Sequence, residues 1–483
     1  MQTRDTMATA LIWSCALHLL VGLAAHRWWL APPPREDAVA STTMSLSLVP
    51  ASIPAATATA PSTPQREADP AHPKTAAHQA APRELAEVAA AVLPAINLNP
   101  VPQLSEPFEL QPATLAFRQP MAPQQRLALQ AALNQVAAKL PAWTDGSTSR
   151  QWRDGEREYT LERQPPADAT SLERAVLRVT TVENGLALEA EVPVTRMAFS
   201  HFAQVVDRWN PEVDLAGDRI IGRFHSNSPL YVSARAGAAP SITGPTTVAG
   251  TVIIEGRGRR ADIFTRGLET RARRMRLPRQ PVDPEAFRQG ERVHLVEESG
   301  RLVFLADGGY HWLPAAGGAT PRHIMPGGYP WLVHAADGVE LEVEGDVKGS
   351  LLVYSPERIS ITGPLRYAHD PRREASPDFL GLVSDANVEI APSEVTGPGD
   401  IDVHAAIFAG GQFRVRRYNS RDGGLLRVLG SVTAGTLSAT EPRFKTVLEF
   451  DQRLEEQRPA HFPMTNRYRL DEGELLWTVA SGS

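Results

Sequence analysis

Two side chains that could carry a proton or a hydrogen bond lie inside the only membrane-length apolar run of the chain, residues 8–25. Ser14 and His18 are four positions apart, so on an α-helix they share one face near the middle of this run. The run would rise about 27 Å as a helix, which is enough to cross the apolar core of a bilayer. An imidazole at that depth is costly unless it faces protein or water, so this face predicts a contact with another membrane protein.

Three aspartates in the second half of the chain are the best candidates for acid–base chemistry: Asp385, Asp400 and Asp402. On a strand, Asp400 and Asp402 would point to the same face, about 7 Å apart. Enzymes that cleave glycosidic bonds use a pair of carboxylates at such a separation. Aspartates next to turns more commonly bond their own backbone, and no Arg or Lys constellation completes an active site here. The pattern therefore favours structural roles, and we predict no catalytic residue.

The sequence His225-Ser226-Asn227 places a possible base beside a possible nucleophile. Neighbours on a regular strand point to opposite faces, so His225 and Ser226 would not meet. We expect Asn227 instead to cap a corner between strands or to form an amide ladder. Three other histidines are too scattered along the sequence to be called metal ligands: His201, His404 and His461. We therefore predict no metal site.

The one strong charge cluster lies within residues 256–279. Its arginines could bind an anionic partner such as lipid headgroups, lipopolysaccharide or an acidic protein surface: Arg257, Arg259, Arg260, Arg271, Arg273, Arg274 and Arg276. The alternative is a solvated loop balanced by Glu269, Asp283 and Glu285. Aromatic residues that could stack on single-stranded nucleic acid are sparse here, so we expect no nucleic-acid partner.

Composition limits the class of protein. A chain of 483 residues could hold two or three domains, and 42% apolar residues are too few for a polytopic membrane protein. The net charge of −6 argues against general nucleic-acid binding. The single cysteine, Cys15, lies in the apolar run, so the rest of the chain can form neither disulfides nor thiolate metal sites. We predict no cofactor.

Residues 1–30 are predicted to be a retained membrane anchor, because the pair Trp28-Trp29 follows the apolar run as an interfacial anchor would. The alternative is a cleavable signal peptide, since residues 22–24 have cleavage-site spacing. Residues 31–120 are rich in Ala, Pro, Ser and Thr, which predicts a disordered periplasmic linker. Because a large export-compatible region follows, we expect a single-pass inner-membrane protein with its bulk in the periplasm.

The face formed by Ser14 and His18, followed by a proline-rich stretch, resembles the transmembrane helix of TonB- and TolA-type energy transducers. The resemblance covers roughly residues 1–50. It implies that His18 contacts a proton-driven channel of the ExbB/ExbD or TolQ/TolR type. The alternative is that His18 is a tolerated polar residue near a helix end, or part of a signal peptide.

The remaining chain is predicted to be mainly β. Residues 121–210 are expected to form a small α+β region, with a helix at 121–140, a hairpin turning at Asn184-Gly185, and a second helix at 196–209. Residues 211–470 alternate short Val/Ile/Leu strands with Gly, Pro, Asn and Asp corners. This pattern is typical of a β-solenoid or β-helix, in which each coil stacks on the next. A β-sandwich is the alternative.

Roughly residues 196–465 resemble a family of bacterial envelope proteins related to PilX-type type IV pilus components. The blocks that carry the resemblance, in order, are 222–227, 242–250, 345–363, 378–383, 450–453 and 459–463. Ser228 stands where the family usually has glycine, and the N-terminus departs from that of pilus proteins. The resemblance implies a surface or pilus-associated location more than any activity.

These observations favour a non-enzymatic envelope protein, anchored in the inner membrane, that is a structural or assembly component of a type IV pilus or secretion-like system. Its expected partners are other envelope proteins. One alternative is an energy transducer that uses Ser14 and His18 to couple to an ExbB/ExbD-like proton channel. Another is a secreted β-helix enzyme acting on glycans, which requires cleavage near Ala24.

Overall fold

The computed structural model describes part of the chain, and all of that part belongs to one compact unit, Pro107–Ser483. The described residues are 118–137, 148–183, 185–235, 239–282, 292–316, 320–471 and 473–479. The predicted anchor with Ser14 and His18, and most of the predicted linker, lie outside them. None of the helices in these ranges is long and apolar enough to span a membrane.

The elements fall into three runs along the chain. The first contains β1 Arg118–Pro120, α1 Pro123–Ala137, β2 Ser149–Asp154, β3 Arg157–Gln164, β4 Arg174–Glu183 and β5 Leu186–Ala198. A 3₁₀ turn, Phe199–His201, leads into β6 Gln204–Val206, β7 Arg219–Ile221, β8 Phe224–Ser226, β9 Leu230–Ala234, β10 Ser241–Ile242, β11 Thr246–Val248, β12 Val252–Gly256, α2 Arg260–Ile263 and β13 Leu268–Thr270.

The third run holds the longest strands. It contains β14 Arg292–Val296, β15 Gly300–Phe304, β16 Tyr310–Pro314, β17 Arg322–Ile324, β18 Trp331–Ala335, β19 Leu341–Val347, β20 Ser350–Ser355, β21 Ile359–Tyr367, β22 Phe379–Ser384 and β23 Val388–Ile390. It ends with α3 Ser393–Thr396, β24 Gly399–Val415, β25 Gly423–Leu437, β26 Lys445–Phe450, the 3₁₀ turn Gln452–Glu455, β27 Met464–Leu470 and β28 Leu476–Val479.

The two ends of the described chain meet in an antiparallel sheet of order β1-β28-β5-β4-β3-β2, with β27 also paired to β5. Inward-facing residues of β3–β5 alternate with polar ones, as expected for a sheet covered on one face. Leu129 and Leu133 of α1 are buried in the same core as Leu177 and Val192. Helix α1 therefore covers this sheet.

Most other strands form a parallel ladder, residues 204–450. From β7 to β13 the register advances by a constant step, because Thr246 pairs with Phe224 on one side and with Leu268 on the other, 22 residues away in each case. Strands β9 and β12 keep the same step. Each winding of about this length is called a coil below.

In the second half of the ladder, β14, β18, β20, β22, β24 and β25 pair in parallel, one after another. Their registered residues form an apolar column through the interior: Val333, Val353, Leu382, Ile407 and Val432. Each of these side chains is at most 3% exposed, and burying such a side chain stabilises the fold by about 1.5–3 kcal/mol.

The two halves of the ladder join at a seam between strands far apart in sequence. Val432 of β25 pairs with Gln204 of β6, and Val447 of β26 pairs with Arg219 of β7. In space, the strands β14 to β26 therefore come first and the strands β6 to β13 follow them. In sequence the order is reversed, so the chain enters the stack at β6, in its middle.

The prediction of a mainly β protein is confirmed, as are helix α1 and the β4–β5 hairpin with Gly185 at φ 79°. The predicted helix at 196–209 is wrong, because β5 runs on to Ala198 and β6 joins the ladder. The sequence predicted that Phe199, Phe202 and Val205 form the apolar face of a helix. All three are buried in the core of the ladder instead, and this tertiary packing outweighs the local helix preference. The last residues of the predicted linker, Arg118–Pro120, form β1.

Candidate anion-binding site

The structure brings together two features singled out in the sequence, the His225-Ser226-Asn227 block and the arginine cluster. Asn227 is buried, and its amide clamps the backbone of the arginine segment. Its Oδ1 accepts a hydrogen bond from Met275 N at 2.7 Å, and its Nδ2 donates to Met275 O at 2.5 Å. Arg274 Nε in turn donates to Asn227 O at 2.9 Å. The sequence predicted a corner cap or an amide ladder for Asn227, whereas its amide bonds the backbone of a segment 48 residues away.

His225 lies under this clamp, completely buried. Asn227 Nδ2 also donates to Asp207 Oδ1, so Asn227 Oδ1 is an acceptor, and His225 Nε2, 2.8 Å from it, must carry the proton. His225 Nδ1 therefore accepts from the hydroxyl of Thr247 at 2.7 Å. Burial, followed by the charge of Arg467, lowers the pKa of His225 to about 3, so its imidazole is neutral at physiological pH. A base of such low pKa is poorly suited to activating a hydroxyl.

Thr247 lines a cavity of about 460 Å³ between α1, the arginine segment and Asn466-Arg467 of β27. The cavity is lined by Leu127, Gln130, Ala131, Asn134, Gln135, Thr247, Glu269, Ala272, Arg273, Arg274, Asn466 and Arg467. Three guanidinium groups thus face one carboxylate, that of Glu269. We call this the basic cavity.

The arginines of the basic cavity are held in place by backbone carbonyls. Arg273 Nη1 donates to the carbonyls of Asn134 and Gln135 at 2.9 and 2.8 Å, near the C-terminal end of α1, where a cation is favoured. Arg467 donates to Arg273 O. Burial lowers the pKa of Arg467 to about 10, with Glu269 opposing and Arg273 adding to that shift, so Arg467 keeps its charge at neutral pH. The fixed cations suit a carboxylate or phosphate ligand.

The predicted arginine patch is divided by the fold. Arg273 and Arg274 line the basic cavity, and Arg271 and Arg276 are exposed on the same segment. Arg257, Arg259 and Arg260 do not line it, and Arg259 forms an ion pair with Asp262. Sequence reasoning missed Arg467, because its place beside Arg273 depends on a contact across 194 residues.

The candidate carboxylates are engaged in ion pairs between strands. Arg427 bonds both Asp400 and Asp402, at 2.6 and 3.2 Å, which confirms that these two aspartates share a face. A hydrogen bond from the Leu425 amide, together with Arg427, lowers the pKa of Asp400. Burial raises the pKa of Asp402, but hydrogen bonds from Arg366 and Arg427 outweigh it and lower the pKa overall. Both carboxyls are ionised, so neither is a proton donor at neutral pH.

Asp385 and the scattered histidines also have partners within the fold. Asp385 accepts from the Tyr354 hydroxyl at 2.8 Å, and burial raises its pKa. His201 Nδ1 accepts from Ala198 N, and His404 Nδ1 accepts from Tyr367 N. Burial is the main reason that the pKa of each of these histidines falls to about 4. Within the described ranges, no group of three or more His, Cys, Asp or Glu residues could hold a metal ion.

Two other blocks of the predicted resemblance meet at a second place in the fold. Arg453 forms a bidentate pair with Asp451 and donates to the carbonyls of Ser376 and Asp378, both at 2.8 Å. Its guanidinium also stacks on the Phe379 ring, 4.2 Å from the centroid. The hydrogen bonds and the stacking of this arginine join two segments of the chain, so we assign it a structural role rather than a ligand-binding role.

Comparisons with known proteins do not assign the chain to a family. No known protein-family model matches the chain, and no curated protein sequence matches it. Among solved structures, the competence-associated pilin ComZ from Thermus thermophilus is similar over 72% of this chain and 95% of that one, at 13% identity and a TM-score of 0.28. A TM-score this low identifies neither a shared fold nor a shared function.

Proposed function

We propose that this chain is a non-enzymatic structural component of an envelope assembly of the type IV pilus or secretion kind. In this proposal the parallel ladder is a β-solenoid, and residues 8–25 hold the protein in the inner membrane with its bulk in the periplasm. One observation carries the proposal: the polar side chains that could do chemistry are bonded to other parts of the fold. They join one coil or segment to another.

Glu389 illustrates this use. Its side chain is 2% exposed and accepts from Arg414 Nε at 2.7 Å and from Arg416 at 3.1 Å, both on or next to β24, while Ser360 of β21 donates to it from the other side. Three neighbouring coils are thereby linked through one carboxylate. A buried charge with this many partners is costly to disturb, which suits a rigid scaffold.

The path of the chain supports a tethered module. Strand β1, the last three residues of the predicted linker, pairs with β28, with Arg118 opposite Thr478. The ladder is therefore inserted between two segments that meet in one sheet. A chain held by a membrane anchor would be attached at that sheet.

We further propose that the basic cavity receives acidic side chains of a partner envelope protein. Its three arginines are backed by carbonyls and carry donors beyond those bonds, which is the arrangement that recognises carboxylates. Leu127 lies on its rim with 72% of its surface exposed, as suits a contact residue.

In-cell photocrosslinking tests this proposal, with a photoreactive phenylalanine replacing Leu127 in the full chain. We expect adducts with pilus or secretion-platform proteins, and loss of these adducts when Arg273→Glu is added. Arg257→Glu serves as the matched control, because Arg257 does not line the cavity and its reversal should leave the adducts intact. Adducts that survive Arg273→Glu, or adducts only with lipid, would contradict the proposal.

The energy-transducer hypothesis rests on Ser14 and His18, which lie outside the described residues. It stays a prediction, and the same cells can test it with a second probe beside His18. Capture of an ExbB/ExbD-like subunit there would make the protein a transducer whose output module is the ladder.

A further inference from the structure

The seam between the two halves of the ladder holds a second cavity, which is partly open to solvent and separate from the basic cavity. Its volume is about 170 Å³, and it lies between the coil that carries β6 and β7 and the coils that carry β24 to β26. Most of its wall is apolar and buried, including Leu215, Ile220, Phe413, Val428, Val432 and Leu437. We call it the seam cavity.

Its polar end is formed by two carboxylates. Asp218 Oδ1 accepts from Thr446 N at 3.3 Å, and Glu441 lies beside it, with Oε1 close to Gly217: a Cβ at residue 217 would be 3.1 Å from that oxygen. Within the described part of the chain no cation pairs with either carboxylate. Burial, reinforced by the charge of Glu441, raises the pKa of Asp218 to about 7. The cavity thus has an acidic end without a counter-charge.

Size and chemistry together define what would fit. Apolar protein cavities of about 150 Å³ accommodate a molecule the size of benzene. A charged head on such a molecule would meet Asp218 and Glu441. Above about pH 7, where Asp218 is ionised, a cation would be attracted by both carboxylates and an anion would be repelled. Glu212 and Asp214 also line the cavity and are exposed, so they extend the negative potential outwards.

We propose that the seam cavity binds a small amine with an apolar body, its ammonium group between Asp218 and Glu441 and its body among the apolar residues of the wall. Such a ligand would contact both halves of the ladder at once. Because Val432 and Ile220 come from opposite sides of the seam, binding would favour the joined state over an opened one.

Calorimetric titration of the full-length chain with benzylamine, and with benzyl alcohol as its uncharged analogue, tests this inference. We expect benzylamine to bind at least tenfold more tightly than benzyl alcohol at pH 8. Asp218→Asn should reduce that ratio to near one, whereas Asp346→Asn, which changes an exposed acid elsewhere on the ladder, should leave it unchanged.

Filling the cavity gives an independent check. Val432→Phe and Leu437→Phe should each abolish binding of both compounds, and two positions are used in case one variant fails to fold. Absence of benzylamine binding to the wild-type chain would overturn the inference. So would an unchanged preference for the amine in Asp218→Asn.

Discussion

At the residue scale, Asn227 bonds the backbone of Met275, the ring of His225 and the carboxylate of Asp207. Asn227→Ala would leave the buried N–H and C=O of Met275 and the buried Nε2 of His225 without these partners. We expect the free energy of unfolding to fall by about 2–4 kcal/mol, since each unsatisfied buried group costs about 1–3 kcal/mol.

Urea unfolding of the two chains measures this loss. Asn210→Ala is the matched control, because Asn210 makes one local hydrogen bond, to Glu212 N at 3.0 Å. Equal losses in the two variants would show that Asn227 has no special role as a clamp.

Asp218 makes stability depend on pH in an unusual direction. Its pKa is about 7 in the folded chain and about 3.8 when unfolded, so the folded state holds the proton more tightly. The resulting stability is present below pH 4 and is lost as the pH rises to 7. Asp218→Asn should therefore raise the free energy of unfolding by about 1–3 kcal/mol at pH 8 but not at pH 4. Thermal unfolding at the two pH values checks this, and a gain confined to pH 4 would refute it.

At the element scale, the coils are held together by ion pairs to the buried carboxylate of Glu389 as well as by their ladders. Burial raises the pKa of Glu389, but the hydrogen bond and charge of Arg414 and the charge of Arg358 outweigh it, so the net pKa is lowered. Its contribution to stability is therefore present at neutral pH and is lost as the pH falls below its folded pKa. We expect Glu389→Gln to cost about 3 kcal/mol at pH 7, because its arginines would lose their partner.

Denaturant unfolding measures the loss in Glu389→Gln, and Glu394→Gln is its matched control. Glu394 pairs with Arg417 at an exposed position, and removal of such a surface pair costs at most about 1 kcal/mol. If both variants lost the same small amount, the buried network would not be what holds these coils together.

The seam depends on a close approach that only glycine permits. Gly222 has φ 136°, and a Cβ there would lie 2.7 Å from Phe450 Cβ and 2.9 Å from Ala203 Cβ. Gly338 also has positive φ, 79°, but has open space around it. Gly222→Ala should therefore destabilise the chain by about 3 kcal/mol or more, and Gly338→Ala by about 1 kcal/mol. Similar melting temperatures for the two variants would count against a tightly packed seam.

Sequence reasoning predicted the individual elements better than their connections. The hairpin at Gly185 was predictable, because it follows from local turn chemistry, whereas the contact of Asn227 with Met275 joins residues 48 apart and was not. The regular step of 22 residues holds only from β7 to β13. Beyond Gly300, the antiparallel strands β16 and β17 are inserted between stacked strands, and this breaks the period.

The seam, the basic cavity and the seam cavity could not be predicted. The pairing of Val432 with Gln204 joins strands that no local pattern relates. Arg467 and Asp218 acquire their chemistry from neighbours that only the folded chain supplies. Long-range pairing decides these sites, whereas periodicity reports only which face of an element is apolar.

At the scale of the whole molecule, the proposal describes a scaffold tethered at one sheet and docked through the basic cavity. If residues 8–25 serve only as an anchor, His18→Ala should leave function and membrane insertion unchanged. If the chain is an energy transducer, His18→Ala should abolish function while insertion persists. A functional assay in the native cell, with fractionation as the control for insertion, separates the two.

The most direct test of the account asks which side chains the docking of the chain to its envelope partner requires. The tagged full-length chain is purified from cells, and the amount of envelope complex that comes with it is determined for two variants. The account predicts a wild-type yield for the double variant Asp400→Asn/Asp402→Asn, if it is folded, and loss of the complex for Arg273→Glu. Loss of the complex with the aspartate variant and full recovery with Arg273→Glu would contradict it.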